Sequence, residues 1–158
     1  MATTPISTRG EWIAALRDNL QQALAEGVPL LRWSDVDFAD WPLNEPALIE
    51  ALTRWTRPHH RLVLLAQHYG ELQRRHPRFV QWRRTWGHLV EPRSPTELLA
   101  SDHPSLLLAG RRTVELVDRD HWRGQVSDEP ADAQRCREAL DVILQRSEPA
   151  FAATTLGL

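Results

Sequence analysis

The run Arg61-Leu62-Val63-Leu64-Leu65-Ala66 constrains the fold more than any other segment of the chain. It is apolar at successive positions, short, and bounded by turn signals, as a strand covered on both sides must be. A strand of that kind needs helices above and below it, and helical periodicities stand on either side. Thr8 and Glu11 form a capping box, followed by Ile13, Leu16, Leu20 and Leu24 at helical spacing, which predicts a helix over 9–26 with Gly27 as its stop. Val28–Trp33 reads as a short strand and 34–43 as a loop rich in Asp and Trp. Asn44 caps a second helix carrying Leu48, Leu52 and Trp55, which Pro58 ends. Tyr69, Leu72 and Gln73 belong to a third helix, and Pro77 opens a fourth carrying Phe79, Trp82 and Trp86.

The second half continues the pattern. His88–Glu91 reads as a strand closed by Pro92, and 92–104 as loop with one helical turn. Ser105–Ala109 and Thr113–Val117 read as strands around a tight Gly110-Arg111 hairpin. Pro130 opens a last helix whose stripe is Cys136, Leu140, Ile143 and Leu144. This alternation predicts an α/β fold: one domain over 1–158, with a mixed β-sheet flanked by helices on both faces.

Composition excludes several chemistries. All 19 basic residues are Arg and none is Lys, so no side-chain amine is available for a Schiff base or for the lysine of a P-loop. Cys136 is the one cysteine, which rules out an internal disulfide and a Cys-rich zinc site. A formal charge of −2 gives no global attraction to nucleic acid or anionic membrane, so such a role needs a local patch. No stretch reaches the ~18 apolar residues of a membrane span, and nothing at the N-terminus resembles a signal peptide. The expectations are a cytoplasmic protein without a membrane role, a metal or a cofactor.

Five segments bear on candidate chemistry. Residues 74–88 hold Arg74, Arg75, Arg78, Arg83 and Arg84, two His and three aromatics, with no acidic residue. Arginine forks there could grip phosphate oxygens while a ring stacks on a base. Helical spacing instead turns Phe79, Trp82 and Trp86 toward the core. His103 precedes the hairpin, as a nucleophile or as a turn residue. His121, between carboxylates in Asp118-Arg119-Asp120-His121, could be a general base or part of an ion-paired loop, and could rim one cleft with His103. Asp35, Asp37 and Asp40 could hold a divalent ion but more often build turns. His59-His60 lacks companion ligands at recognisable spacing.

From His103 onward the chain resembles the half-domain of the phospholipase D superfamily, in which a His, a Lys two residues on and an Asp five further lie on a strand. His103 matches the nucleophile, but Ser105 stands at the Lys position and Gly110 at the Asp position. The resemblance therefore implies the fold without its active motif. Over nearly the full length the chain also resembles a bacterial domain family of unknown function. The carrying segments are Trp41-Pro42-Leu43-Asn44-Glu45-Pro46, His76 to Arg83, His121-Trp122-Arg123-Gly124 and Gln145 to Phe151 with the Leu-Gly-Leu end. Relatives fused to acetyltransferases of the GNAT type belong to that resemblance.

Three functions follow as expectations. The first is a non-catalytic module holding an anionic ligand, a nucleotide or nucleic acid, on Arg74, Arg75, Arg78, Arg83, Arg84 and His103. The second is a protein-interaction or scaffold domain, using exposed Trp or the tail residues Phe151, Leu156 and Leu158. The third is an atypical phosphodiesterase or hydrolase using His103 or His121. By analogy with phospholipase-D-like half-domains, a homodimer is expected.

Overall fold

In the computed structural model, residues 2–152 are described. Eight strands form one mixed sheet: β1 (Thr3–Ile6), β2 (Leu30–Ser34), β3 (Arg61–Leu65), β4 (Val90–Pro95), β5 (Ser105–Ala109), β6 (Arg112–Asp118), β7 (Arg123–Ser127) and β8 (Ser147–Pro149), in the order β1-β7-β6-β5-β2-β3-β4-β8. Five helices connect them: α1 (Arg9–Ala25), α2 (Pro46–Trp55), α3 (Gly70–Arg75), α4 (Pro77–Thr85) and α5 (Pro130–Gln145). Only β2, β3 and β4 run parallel, and each neighbour beyond them is antiparallel. The α/β class, the mixed sheet and the central place of the Arg61–Leu65 strand are as expected.

Alternation along the central strands divides the core in two. Leu107 and Ala109 face the larger cluster with Leu31, Trp33, Leu62 and Leu64, against residues of α1, α2, α3 and α4. Leu106, Leu108 and Leu65 face the other way, against Ala133, Cys136 and Leu140 of α5. Helices thus cover both faces, four on one and a single one on the other. α1 starts on the expected capping box, with Thr8 Oγ1 accepting from the Glu11 N–H at 3.1 Å and Glu11 accepting from the Ser7 N–H at 2.7 Å. It ends on Gly27 at φ +69, where the Val28 N–H reaches back to the Ala23 carbonyl, a C-terminal closure that requires the left-handed conformation.

The structure corrects several boundaries. The fourth strand starts at Val90, after a 3-10 turn over Gly87–Leu89, and runs through Pro92 instead of closing there. β1 and β7 lie in segments that the hydrophobic pattern leaves unassigned, and β8 takes the end of the stretch up to Pro149 over which the last helix is expected to run. They are edge or near-edge strands with few apolar residues, so alternation does not mark them. Asn44 does not cap α2: the N-cap is Glu45, and the Asn44 side chain accepts from the Arg78 N–H at 2.9 Å instead.

Candidate functional site

Ser34 ends β2, Leu65 ends β3, and the antiparallel register Ser34↔Leu106 brings the start of β5 to the same end of the sheet. His103, just before β5, therefore lands over the carboxyl ends of β2 and β3 and is only 2% exposed. Its ring is fully engaged. Gln67 Nε2 donates to the Leu98 carbonyl at 3.0 Å and to His103 Nδ1 at 3.1 Å, so Nδ1 is an acceptor. The ring proton sits on Nε2, which faces the Leu65 carbonyl at 3.2 Å and Ser34 Oγ at 3.1 Å. Ser34 Oγ donates its own proton to the Pro104 carbonyl at 2.8 Å. Burial pushes the His103 pKa down to about 4, so the neutral tautomer holds at physiological pH. A nucleophilic imidazole needs an accessible lone pair, and here one nitrogen carries a proton while the other accepts from Gln67.

Ser105, at the position of the superfamily's lysine, continues the network. Its hydroxyl donates to Asp35 Oδ1 at 2.6 Å and accepts from Arg119 Nη1 at 2.9 Å. A guanidinium therefore stands beside the missing amine's place. Its remaining contacts are main-chain carbonyls: Nη1 to His103, and Nη2 to Ala100 at 2.8 Å and Ser101 at 3.4 Å. Asp35 Oδ2 accepts from the Phe38 N–H at 2.8 Å, and desolvation raises its pKa. Serine bridges a buried carboxylate to an arginine, an arrangement that holds loops together.

A cleft of about 380 Å³ opens beside this network, lined by Ser101–Pro104 and Leu116–Asp120. Its side chains include Asp102, Asp118 and Asp120, which oppose anion entry. His121 lies outside that lining; its Nδ1 meets Asp118 Oδ2 at 2.8 Å, which lowers the Asp118 pKa. Trp122 turns the chain at φ 54, and Gly124 lets β7 close on β6, since a Cβ there would lie 1.9 Å from the Glu115 carbonyl oxygen.

None of the five arginines of 74–84 lines the His103 cleft. Arg74, Arg75, Arg78 and Arg84 are exposed on α3 and α4. Arg83 is 5% exposed, with its guanidinium 4.7 Å over the Phe151 ring, and burial lowers its pKa. Phe79 and Trp82 are core residues, and Trp86 is half-buried. The Asp loop builds turns: Asp37 accepts from Ala39 at 2.9 Å, and Asp40 pairs with Arg9 at 2.7 Å. Among the described residues no group of three or more His, Cys, Asp or Glu could hold a metal ion. Cys136 is 1% exposed, and burial pushes its thiol up to about 11. Phe151 stacks on Tyr69 at 5.1 Å, while Leu156 and Leu158 lie outside the described residues. Among those residues no helix is long and apolar enough to cross a membrane.

Sequence reasoning missed Ser34, Gln67 and Arg119 as partners of His103. The available signal was polar residues at strand ends, beside Arg119 in a segment already singled out.

No protein-family model matches the chain, and no curated protein matches it. Several solved structures share its fold, among them TrmBL2 and Nuc. TrmBL2, an archaeal chromatin protein whose structure shows a novel mode of DNA binding, superposes with a TM-score of 0.64 at 13% identity, over 95% of this chain and 55% of its own. This chain thus spans about half the length of that relative. Nuc from Salmonella typhimurium, a phospholipase D family member, superposes with a TM-score of 0.56 at 10% identity, over 86% of this chain and 91% of its own. The mixed sheet, its strand order and these likenesses together give the chain a phospholipase-D-like fold.

Proposed function

We propose that the chain is a non-catalytic module that binds nucleic acid through the outer surface of α3 and α4. The observation that carries this reading is the charge on those two helices. Arg74, Arg75, Arg78 and Arg84 are exposed there, and Glu71 is their one carboxylate. Glu71 binds Arg74 at 2.7 Å and lies 3.8 Å from Arg75. Of the acids that border the same surface, Asp40 and Glu45 are already paired with Arg9 and Arg17, and Glu50 shares a groove with Arg78 without an ion pair among the described residues. Among the described residues the Arg78 guanidinium donates only to the Asn44 carbonyl, at 3.2 Å, and the Arg84 guanidinium has no partner. Guanidinium groups without local counter-charges recruit phosphate by releasing its condensed cations.

The buried aromatics limit base stacking to Trp86, so recognition rests on the backbone and is weak in sequence preference. The DNA-binding mode named for the archaeal chromatin protein supports the reading as an analogy of fold. The engaged ring of His103 supports the non-catalytic part.

The test is a titration of duplex DNA at two salt concentrations, with wild type and a variant carrying Arg74, Arg75, Arg78 and Arg84 all replaced by Ala. Wild-type affinity should fall with salt, and the slope should shrink by roughly one for each phosphate contact removed. Salt-independent binding, or a variant with wild-type slope, defeats the reading. Turnover of a generic phosphodiester that disappears in His103→Ala would restore an enzymatic role.

A further inference from the structure

A cavity of about 540 Å³ lies at the opposite end of the sheet from His103. It opens between the last turns of α1 and α2, below the starts of β2 and β3. Leu24, Ala25, Ala51 and Trp55 supply apolar lining, and Gln21, Arg54, Arg57, His59 and His60 supply polar groups, with no carboxylate among the lining residues. We infer that this cavity is a binding site for a small organic phosphate of mononucleotide type.

The sign of the charge comes from a complete account of the polar groups. Two helix carboxyl ends meet here, and exposed carbonyls would attract a cation. Those of α2 are already occupied. Thr53 accepts from the Thr56 hydroxyl at 2.8 Å, Arg54 and Thr56 accept from Arg57 Nη1 at 3.1 and 2.6 Å, and Trp55 accepts from His60 Nδ1 at 2.6 Å. On α1, the Gln22, Leu24 and Ala23 carbonyls accept from the Glu26, Gly27 and Val28 N–H groups. With no carboxylate in the lining and these carbonyls engaged, Gln21 alone among the described lining residues brings a side-chain amide oxygen, too few oxygen ligands for a hard cation.

The cationic groups are the ones left over. The Arg54 side chain is exposed, and its guanidinium has no hydrogen-bond or ion-pair partner among the described residues. Arg57 is pinned through Nη1 alone, leaving its other guanidinium nitrogens unengaged. His59 packs its ring on His60 at 4.5 Å, and its side chain makes no polar contact among the described residues. Because its Nδ1 proton goes to the Trp55 carbonyl, His60 keeps Nε2 without a hydrogen-bond partner among the described residues. Two guanidinium groups favour a dianion over a single carboxylate. The apolar lining and a volume within the range of ligand pockets call for an organic body behind the charge.

Calorimetric titration of the full chain with AMP, adenosine and inorganic phosphate tests this site. AMP should bind saturably, inorganic phosphate more weakly, and adenosine not measurably. Arg54→Ala combined with His59→Ala alters two exposed side chains, and should leave the unfolding midpoint unchanged while weakening AMP by roughly tenfold or more. Replacing Arg74, Arg75, Arg78 and Arg84 should leave AMP affinity unchanged, which separates this site from the proposed nucleic-acid surface. Absence of saturable AMP binding in the millimolar range overturns the inference. So does equal binding of adenosine, or AMP affinity that survives the double substitution.

Discussion

The two ends of the sheet use the same residue types to opposite effect. Where β2 and β3 finish, His103, Ser34, Gln67, Ser105, Asp35 and Arg119 are packed into one network in which donors face acceptors. Where those strands begin, the side chains of Arg54 and His59 stand around an open cavity without polar partners among the described residues. Buried polar groups must be completed internally because water cannot complete them. Polar groups left incomplete at a cavity wall are free to complete a ligand. The end that carries His103 closes on its own hydrogen bonds, and the opposite end holds the unengaged charge.

That contrast can be broken by substitution. The largest effect is expected at His103→Ala, which removes a buried ring and the acceptor of Gln67; it should lower stability by roughly 3 kcal/mol in urea unfolding. A change below about 0.5 kcal/mol would place His103 on the ligand-binding side of the contrast. The next is pH. The folded-state pKa of His103 lies near 4, below the ordinary value of about 6.5. The unfolded chain therefore binds the extra proton between those values. The contribution is complete above about pH 6.5 and is lost as pH falls toward 4, by roughly 3 kcal/mol at most. Stability that is flat across this window in wild type, or equally sloped in His103→Gln, contradicts the neutral, engaged ring.

Ser105→Ala should cost roughly 1–3 kcal/mol, since it leaves Asp35 and Arg119 without their bridging hydroxyl. Arg54→Ala should be smallest, within about 0.5 kcal/mol in stability, with its effect confined to ligand affinity. A large stability loss there would make Arg54 a structural residue and erase the difference between the two ends.

Sequence and structure agree where apolar periodicity is strong. The central strand, the stripes of α1 and α5, and the Gly110 hairpin were legible because burial imposes a pattern on the side chains. β1, β7 and β8 were not, since their stability comes from main-chain pairing along an edge, which leaves no apolar signature. The inward turn of Phe79 and Trp82 was readable from helical spacing, and so was the exposure of most of the arginines between them. Arg83 was not, because its burial depends on Phe151, nearly seventy positions away. The His103 network joins residues from β2, the β3–α3 turn and the end of β6, and no local spacing relates them. The cavity at the other end escaped for the same reason: His59-His60 reads as an isolated pair until α1 is laid beside it.

The uneven covering of the sheet has a kinetic consequence. α5 is the sole helix over its face, and Cys136, the one thiol in the chain, lies beneath it among Leu65, Leu106 and Leu108. An alkylating reagent can reach that sulfur only when the helix lifts away. The rate of modification therefore reports local detachment of one layer, and comparing it with the rate of global unfolding shows whether the two faces open together or in turn.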